Sequence, residues 1–94
     1  MNLRKEAKGR DCQVRLPGVC IFDNRTVVLA HKNGAGIAMK HNDFIGAWAC
    51  SSCHDVIDGR KTSELSKEII TLWFYDGIFR TQEVLIKEGK IKHD

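Results

Sequence analysis

Apolar residues gather in a few compact runs separated by polar, glycine-bearing stretches. Thr26-Val27-Val28-Leu29-Ala30 is a β-branched run bracketed by Asp23-Asn24 and Asn33-Gly34, and predicts a strand. Phe44 to Ala49 is a second short apolar run that leads directly into Cys50, a second strand. Between them, residues 32–42 carry turn-forming residues without any period, the pattern of a loop. From Cys50 to Arg60, Cys53, Val56 and Ile57 lie at helical spacing and Gly59 supplies a stop, which predicts a short helix. Leu65, Ile69, Leu72 and Trp73 then recur at steps of three and four, the pattern of a core-facing helical stripe. Ser63 is the expected N-cap of that helix, with Glu64 placed to suit the dipole of the first turn. Gly77 is expected to break or kink it before Ile78, Val84 and Leu85 continue, and Trp73, Phe74 and Phe79 read as packing residues. Residues 2–9 predict a frayed turn or short helix ended by Gly9.

The chain has 94 residues, room for one domain, 1–94. A core of that size is marginal, so a staple is expected. No run approaches the roughly 18 apolar residues of a membrane span, and the first ten residues lack the apolar centre of a secretory signal. A cytoplasmic protein is the expectation. The net charge of +3 comes from 15 Lys and Arg against 12 Asp and Glu. Arg4, Lys5, Lys8 and Arg10 against Glu6 account for the whole excess, so a basic arm over residues 1–10 leads a body that is neutral in sum. Such an arm reaches phosphates, or simply keeps a terminus solvated.

Four cysteines supply the staple. Cys12 and Cys20 flank Leu16-Pro17-Gly18, a turn that can bring their sulfurs together, and Cys50-Ser-Ser-Cys53 follows after 29 residues with the spacing of a zinc knuckle. In a reducing compartment clustered cysteines bind metal more often than they form disulfides, and four thiolates close a tetrahedral structural zinc site. A redox Cys-x-x-Cys needs a thioredoxin-like βαβ context that this pattern lacks. Cys50-Ser-Ser-Cys53-His54 also fits a c-type haem attachment motif, but that chemistry occurs outside the cytoplasm and would leave Cys12 and Cys20 without a role.

Strand, loop, strand and helix with a cysteine pair at each end of the unit resemble the HNH group of ββα-metal (His-Me finger) nucleases. The closer resemblance is to the small YbcO-like nuclease family of prophages. It is carried by Leu3 to Arg10, by Cys12-Gln-Val-Arg-Leu-Pro-Gly-Val-Cys20, and by Val28-Leu-Ala-His31. It continues through Ala49-Cys-Ser-Ser-Cys-His-Asp55 with Ile57-Asp58, and through Arg80-Thr-Gln82 and Lys87-Glu-Gly89. The fold it implies is α+β: a zinc-braced ββα-metal core, HNH-like and treble-clef-like, over residues 11–60, with a helical segment over 61–94.

The activity it implies is metal-dependent hydrolysis of phosphodiester bonds in DNA. By that resemblance His31 is the general base, a task suited to imidazole because its ordinary pKa of about 6.5 leaves it neutral near pH 7. His54 ligates a catalytic Mg²⁺ or Mn²⁺, being turned about 100° on the helix from zinc-bound Cys53. Asp58, one turn on, lies on the same face and can add an oxygen, whereas Asp55 points elsewhere. Two departures stand out: Ala30 occupies the place where many HNH domains carry a metal-binding Asp, and the bracing Asn is out of register, with Asp43 the nearest substitute and Asn42 behind it. His41 and His93 have no constellation around them, and Arg80 is expected to pair with Asp76 four residues earlier. The competing readings are a non-catalytic zinc-dependent DNA-binding module and a protein adaptor that uses its helical third.

Overall fold

The computed structural model describes residues 2–31 and 45–91. Loop residues 32–42, the start of the second apolar run at Phe44, and Asp43, His41 and His93 lie outside the described residues. The described elements are α1 (Leu3–Glu6), β1 (Val28–His31), β2 (Gly46–Ala49), α2 (Ser51–Ile57) and α3 (Lys67–Lys87), a small α+β arrangement around a two-stranded sheet.

Short α1 is capped by the Asn2 side chain, which accepts from the Arg4 and Lys5 amides at 3.0 and 3.3 Å. Gly9 then turns the chain away with φ +78°. The first strand begins two residues later than its β-branched run suggests. Thr26 belongs to a 3₁₀ turn, Asn24–Thr26; its hydroxyl donates to the Asp23 carbonyl at 2.8 Å and accepts from the Ser51 amide at 3.1 Å. A side chain bonded to local backbone in this way competes with the strand ladder. β1 and β2 run antiparallel, pairing Val28 with Ala49, Leu29 with Trp48, Ala30 with Ala47 and His31 with Gly46.

Every residue of β2 is buried. Its far edge is closed by two groups distant in sequence: the Trp48 amide donates to the Thr81 hydroxyl at 3.0 Å, and the Trp48 carbonyl accepts from the Gln13 amide at 2.7 Å. An edge strand thus has its open donors and acceptors satisfied internally. Val14 and Leu16, between the first two cysteines, are fully buried with Trp48 and Leu85. The segment that looks like a metal knuckle in the sequence is therefore also core.

The long helix departs from expectation in four respects. Its N-cap is Ser66, whose hydroxyl accepts from the Ile69 amide at 3.2 Å, whereas Ser63 binds the Leu65 amide in a local turn. Gly77 does not interrupt it, and α3 runs unbroken to Lys87. The buried face is Phe74, Gly77, Ile78, Thr81 and Leu85, while Ile69, Leu72 and Phe79 of the expected packing set are exposed and Trp73 is half-buried. The helix carries apolar residues on two sides, and close approach at Gly77 with the Thr81–Trp48 bond selects which side faces the sheet. Finally, Arg80 does not pair with Asp76; its Nη1 donates to the Gln13 carbonyl at 2.6 Å and its guanidinium lies 6.0 Å from the Trp73 ring centre. A charge-assisted bond to a half-buried carbonyl outweighs an exposed i,i+4 pair. No described helix is long and apolar enough to cross a membrane.

Candidate metal centre and histidine face

The turn at Pro17-Gly18, with Gly18 at φ +70°, folds Cys20 back beside Cys12, and the Cys20 amide donates to the Leu16 carbonyl at 3.0 Å. The second pair sits where β2 meets α2. Cys50 caps the helix, its sulfur accepting from the Cys53 amide at 3.5 Å. The Arg15 and Phe22 amides donate to Cys12 Sγ and Cys20 Sγ, each at 3.4 Å. Both donors lie at positive φ, 54° and 52°, an uncommon backbone state for these residues that here aims N–H groups at sulfur.

All four sulfurs lie within 4.8 Å of one another, and Cys20 Sγ and Cys50 Sγ are 3.8 Å apart. Zn–S bonds of about 2.3 Å around a tetrahedron place sulfurs about 3.8 Å apart, so the cluster fits such an ion. The four cysteines could hold a metal, as their spacing predicts. Hydrogen bonding within the cluster divides the thiols. The Cys53 thiol and the Arg15 amide pull Cys12 down to about 4, burial pushes Cys20 up to about 12, and the bond to Cys12 pushes Cys53 up. Four sulfurs this close cannot all ionise without a cation among them.

A second constellation stands at the far end of α2. His54 Nε2 lies 3.1 Å from Asp58 Oδ2, one helical turn on, so the shared face expected for this pair is present. Gly59, at φ +78°, reverses the chain and brings Arg60 back over the last turn, where its amide donates to the Asp55 carbonyl at 2.8 Å. Arg60 Nη2 then sits 3.3 Å from His54 Nδ1, 3.1 Å from Asp58 Oδ2 and 3.3 Å from Asp55 Oδ1. Neither Arg60 nor Asp55 stood out as part of the site in the sequence. The signal was a cation just after a helix-ending glycine, within reach of acids two and five positions back.

His31, half-buried at the end of β1, lines a depression of about 240 Å³ that Asp58 also lines. Asp58 and Ile57 line it from α2, and Ile70, Thr71, Phe74 and Tyr75 from α3.

The basic arm is divided. Arg4, Lys5 and Lys8 are exposed, and Arg10 is half-buried. Its guanidinium forms two bonds with Glu88 at 2.6 and 2.7 Å, a third with Glu6 at 3.3 Å, and lies 4.6 Å from the Trp48 ring centre. Lys90 pairs with both acids and completes the clasp. Arg10 therefore ties the N-terminal segment to the end of α3.

Comparison with known proteins gives a consistent result. The family model described as "Putative nuclease YbcO" matches residues 1–90. "Putative nuclease YbcO" of Escherichia coli K12 and its namesake from Enterobacteria phage 82 are each 45% identical over 94 residues, covering 97% of both chains. A solved structure described as that of "a putative bacteriophage protein" from E. coli K-12 MG1655 superposes with a TM-score of 0.81 at 43% identity, over 94% of this chain and 100% of that one.

Proposed function

The chain belongs to the YbcO nuclease family, and on that footing we propose that it is a metal-dependent endonuclease that hydrolyses DNA phosphodiesters in the host cytoplasm. One observation carries the reading: His31 and Asp58, from different elements, line one depression, and Asp58 is 3.1 Å from His54. In this reading residues 11–60 form an HNH-like ββα-metal unit of the single domain. His31 accepts the proton of the attacking water, which must come within hydrogen-bond reach of its ring. His54 and Asp58 would hold Mg²⁺ or Mn²⁺, which when bound offsets charge developing on the scissile phosphate. Cys12, Cys20, Cys50 and Cys53 hold a structural zinc ion that keeps α2 and the sheet in register. Asp43 takes the bracing role that the resemblance to HNH domains implies for it. Arg4, Lys5 and Lys8 grip the phosphate backbone, with Arg10 engaged largely in its clasp.

A specific feature favours a second reading, a zinc-dependent DNA-binding module without catalysis. Arg60 already neutralises Asp58 and bonds His54, as a cation there would. Supercoiled plasmid incubated with the pure protein and Mg²⁺ or Mn²⁺, beside a His31→Ala control, separates the two. Nicking that the control lacks supports the nuclease. Nicking no greater than the control's overturns it, and retention of duplex DNA at low salt would then establish the binding module.

A further inference from the structure

The depression that His31 and Asp58 line adjoins a second groove of about 400 Å³, and Ile57, Ile70 and Thr71 line both. A groove of this volume falls in the range of ligand sites, about 300–1,000 Å³. Its lining is of two kinds. Val56, Ile57, Leu65 and Ile70 are buried or half-buried and form an apolar bed. Lys61, Thr62, Lys67 and Thr71 are exposed and carry the polar groups.

Charge is sorted around this groove. The charged residues among the described lining are both lysines, and Glu64 and Glu68 of the same stretch do not line it. Lys61 Nζ donates to Ser52 Oγ at 3.0 Å, which steadies it, while Lys67 has no partner among the described residues. Tyr75, 37% exposed, lines the adjoining His31 depression. A cationic groove with an apolar bed and an aromatic ring further along matches what a single nucleic-acid strand needs: cations for its backbone and faces for its bases. Fully paired DNA keeps its bases stacked inside and offers proteins only its backbone and the base edges in its grooves.

Resting on the nuclease reading, in which the scissile phosphate lies over His31 and Asp58, we infer that the adjoining groove takes one unpaired nucleotide of the strand to be cut. Its base lies on the bed of Ile57, Leu65 and Ile70, and Lys61 and Lys67 serve the phosphates that flank it. The favoured substrate is therefore DNA with an unpaired stretch. A site that needs one base out of its stack meets least resistance where that base is already unpaired.

Two fluorescein-labelled DNA duplexes of one sequence, one fully paired and one with a short central unpaired stretch, test the inference by anisotropy with zinc-loaded protein in Ca²⁺. Wild type should bind the second about threefold to tenfold more tightly. Thr71→Glu places a carboxylate between groove and depression at an exposed helix position, and should erase that preference. Lys67→Ala should make the log-log salt slope on the second duplex shallower by about 0.7–0.9, the loss of one phosphate contact. Lys87→Ala removes the same charge at the other end of α3 and should keep the preference. Equal binding of the two duplexes by wild type overturns the inference. So does a preference that survives Thr71→Glu at an unchanged melting temperature, or one that Lys87→Ala also erases. If Thr71→Glu melts early, Lys67→Ala decides, and an unchanged slope rejects the groove. Plasmid nicking by a wild type without the preference leaves the nuclease reading standing and the groove refuted. A preference that Thr71→Glu erases, in a wild type that does not nick, upholds the groove and sinks the nuclease reading.

Discussion

Gly77 and Val14 approach so closely that a Cβ on Gly77 would lie 2.8 Å from Val14 Cγ2 and 3.0 Å from its Cα. The middle of the longest helix is thus seated on the segment between the first two cysteines, at a contact with no room for a side chain.

Gly77→Ala sets two effects against each other. Alanine gains about 1 kcal/mol of helix propensity in a helix interior, but overpacking against backbone costs about 1–3 kcal/mol. The obstruction is partly main chain, so overpacking wins, and a urea midpoint below wild type with an unchanged slope is expected. The net gain that alanine brings at an open helix position is lost to this contact; a raised midpoint would show that Val14 yields.

The cysteine cluster should carry about one zinc ion per chain by metal analysis. Structural zinc supplies apparent binding free energy of about 10–16 kcal/mol in small zinc domains, as large as the whole net stability of a domain, about 5–15 kcal/mol. Cys53→Ser, or a strong chelator, is expected to abolish cooperative thermal unfolding. A chelated protein that melts with the same sharp transition would contradict this.

His31→Ala should lower plasmid nicking by about 10²- to 10⁴-fold, the usual contribution of a positioned general base. His31 sits half-buried at the end of β1, outside the cysteine cluster, so zinc content and melting temperature should remain near wild type. A loss of nicking accompanied by loss of zinc would point to misfolding as its source.

The clasp predicts an acid dependence. Glu88 is held down to about 2 by its bond to Arg10, and Glu6 is lowered chiefly by Lys90. A carboxylate depressed in the folded state stabilises it above its ordinary pKa of 4.5 and loses that effect as pH falls towards the folded value. The melting-temperature advantage of wild type over Glu88→Gln should be full near neutral pH, shrink below about 4.5 and vanish near 2. The comparison with Glu88→Gln matters because acid also protonates the clustered thiols of both proteins. A constant difference across that range would remove the clasp as its cause.

Much of this molecule was legible along the chain. The cysteine spacing, with Pro17-Gly18 between the first pair, predicted four sulfurs in one place, and they lie within 4.8 Å of one another. Gly59 predicted the end of α2, and the i,i+4 spacing of His54 and Asp58 predicted a shared face, on which their side chains lie 3.1 Å apart. These are short-range facts, set by turn geometry and helical pitch. Asp43 falls outside the described residues, so the brace of the His31 loop rests on the resemblance alone.

Residue order was thus enough for the type and order of the main elements, the cysteine cluster and the pair on α2, because each depends on residues a few positions apart or on a fixed donor set. It took the packed chain to establish which face of α3 is buried, that Arg10 is a clasp, that Arg80 serves the Gln13 carbonyl, and that Arg60 joins His54 and Asp58. Periodicity counts apolar residues but assigns no weight to a glycine or threonine, and on α3 it is Gly77 and Thr81 that choose the partner surface. A cation likewise carries no mark in the sequence of which acid it will meet. That is decided by the path of the chain, here the reversal at Gly59 and the return of α3 to the N-terminal segment.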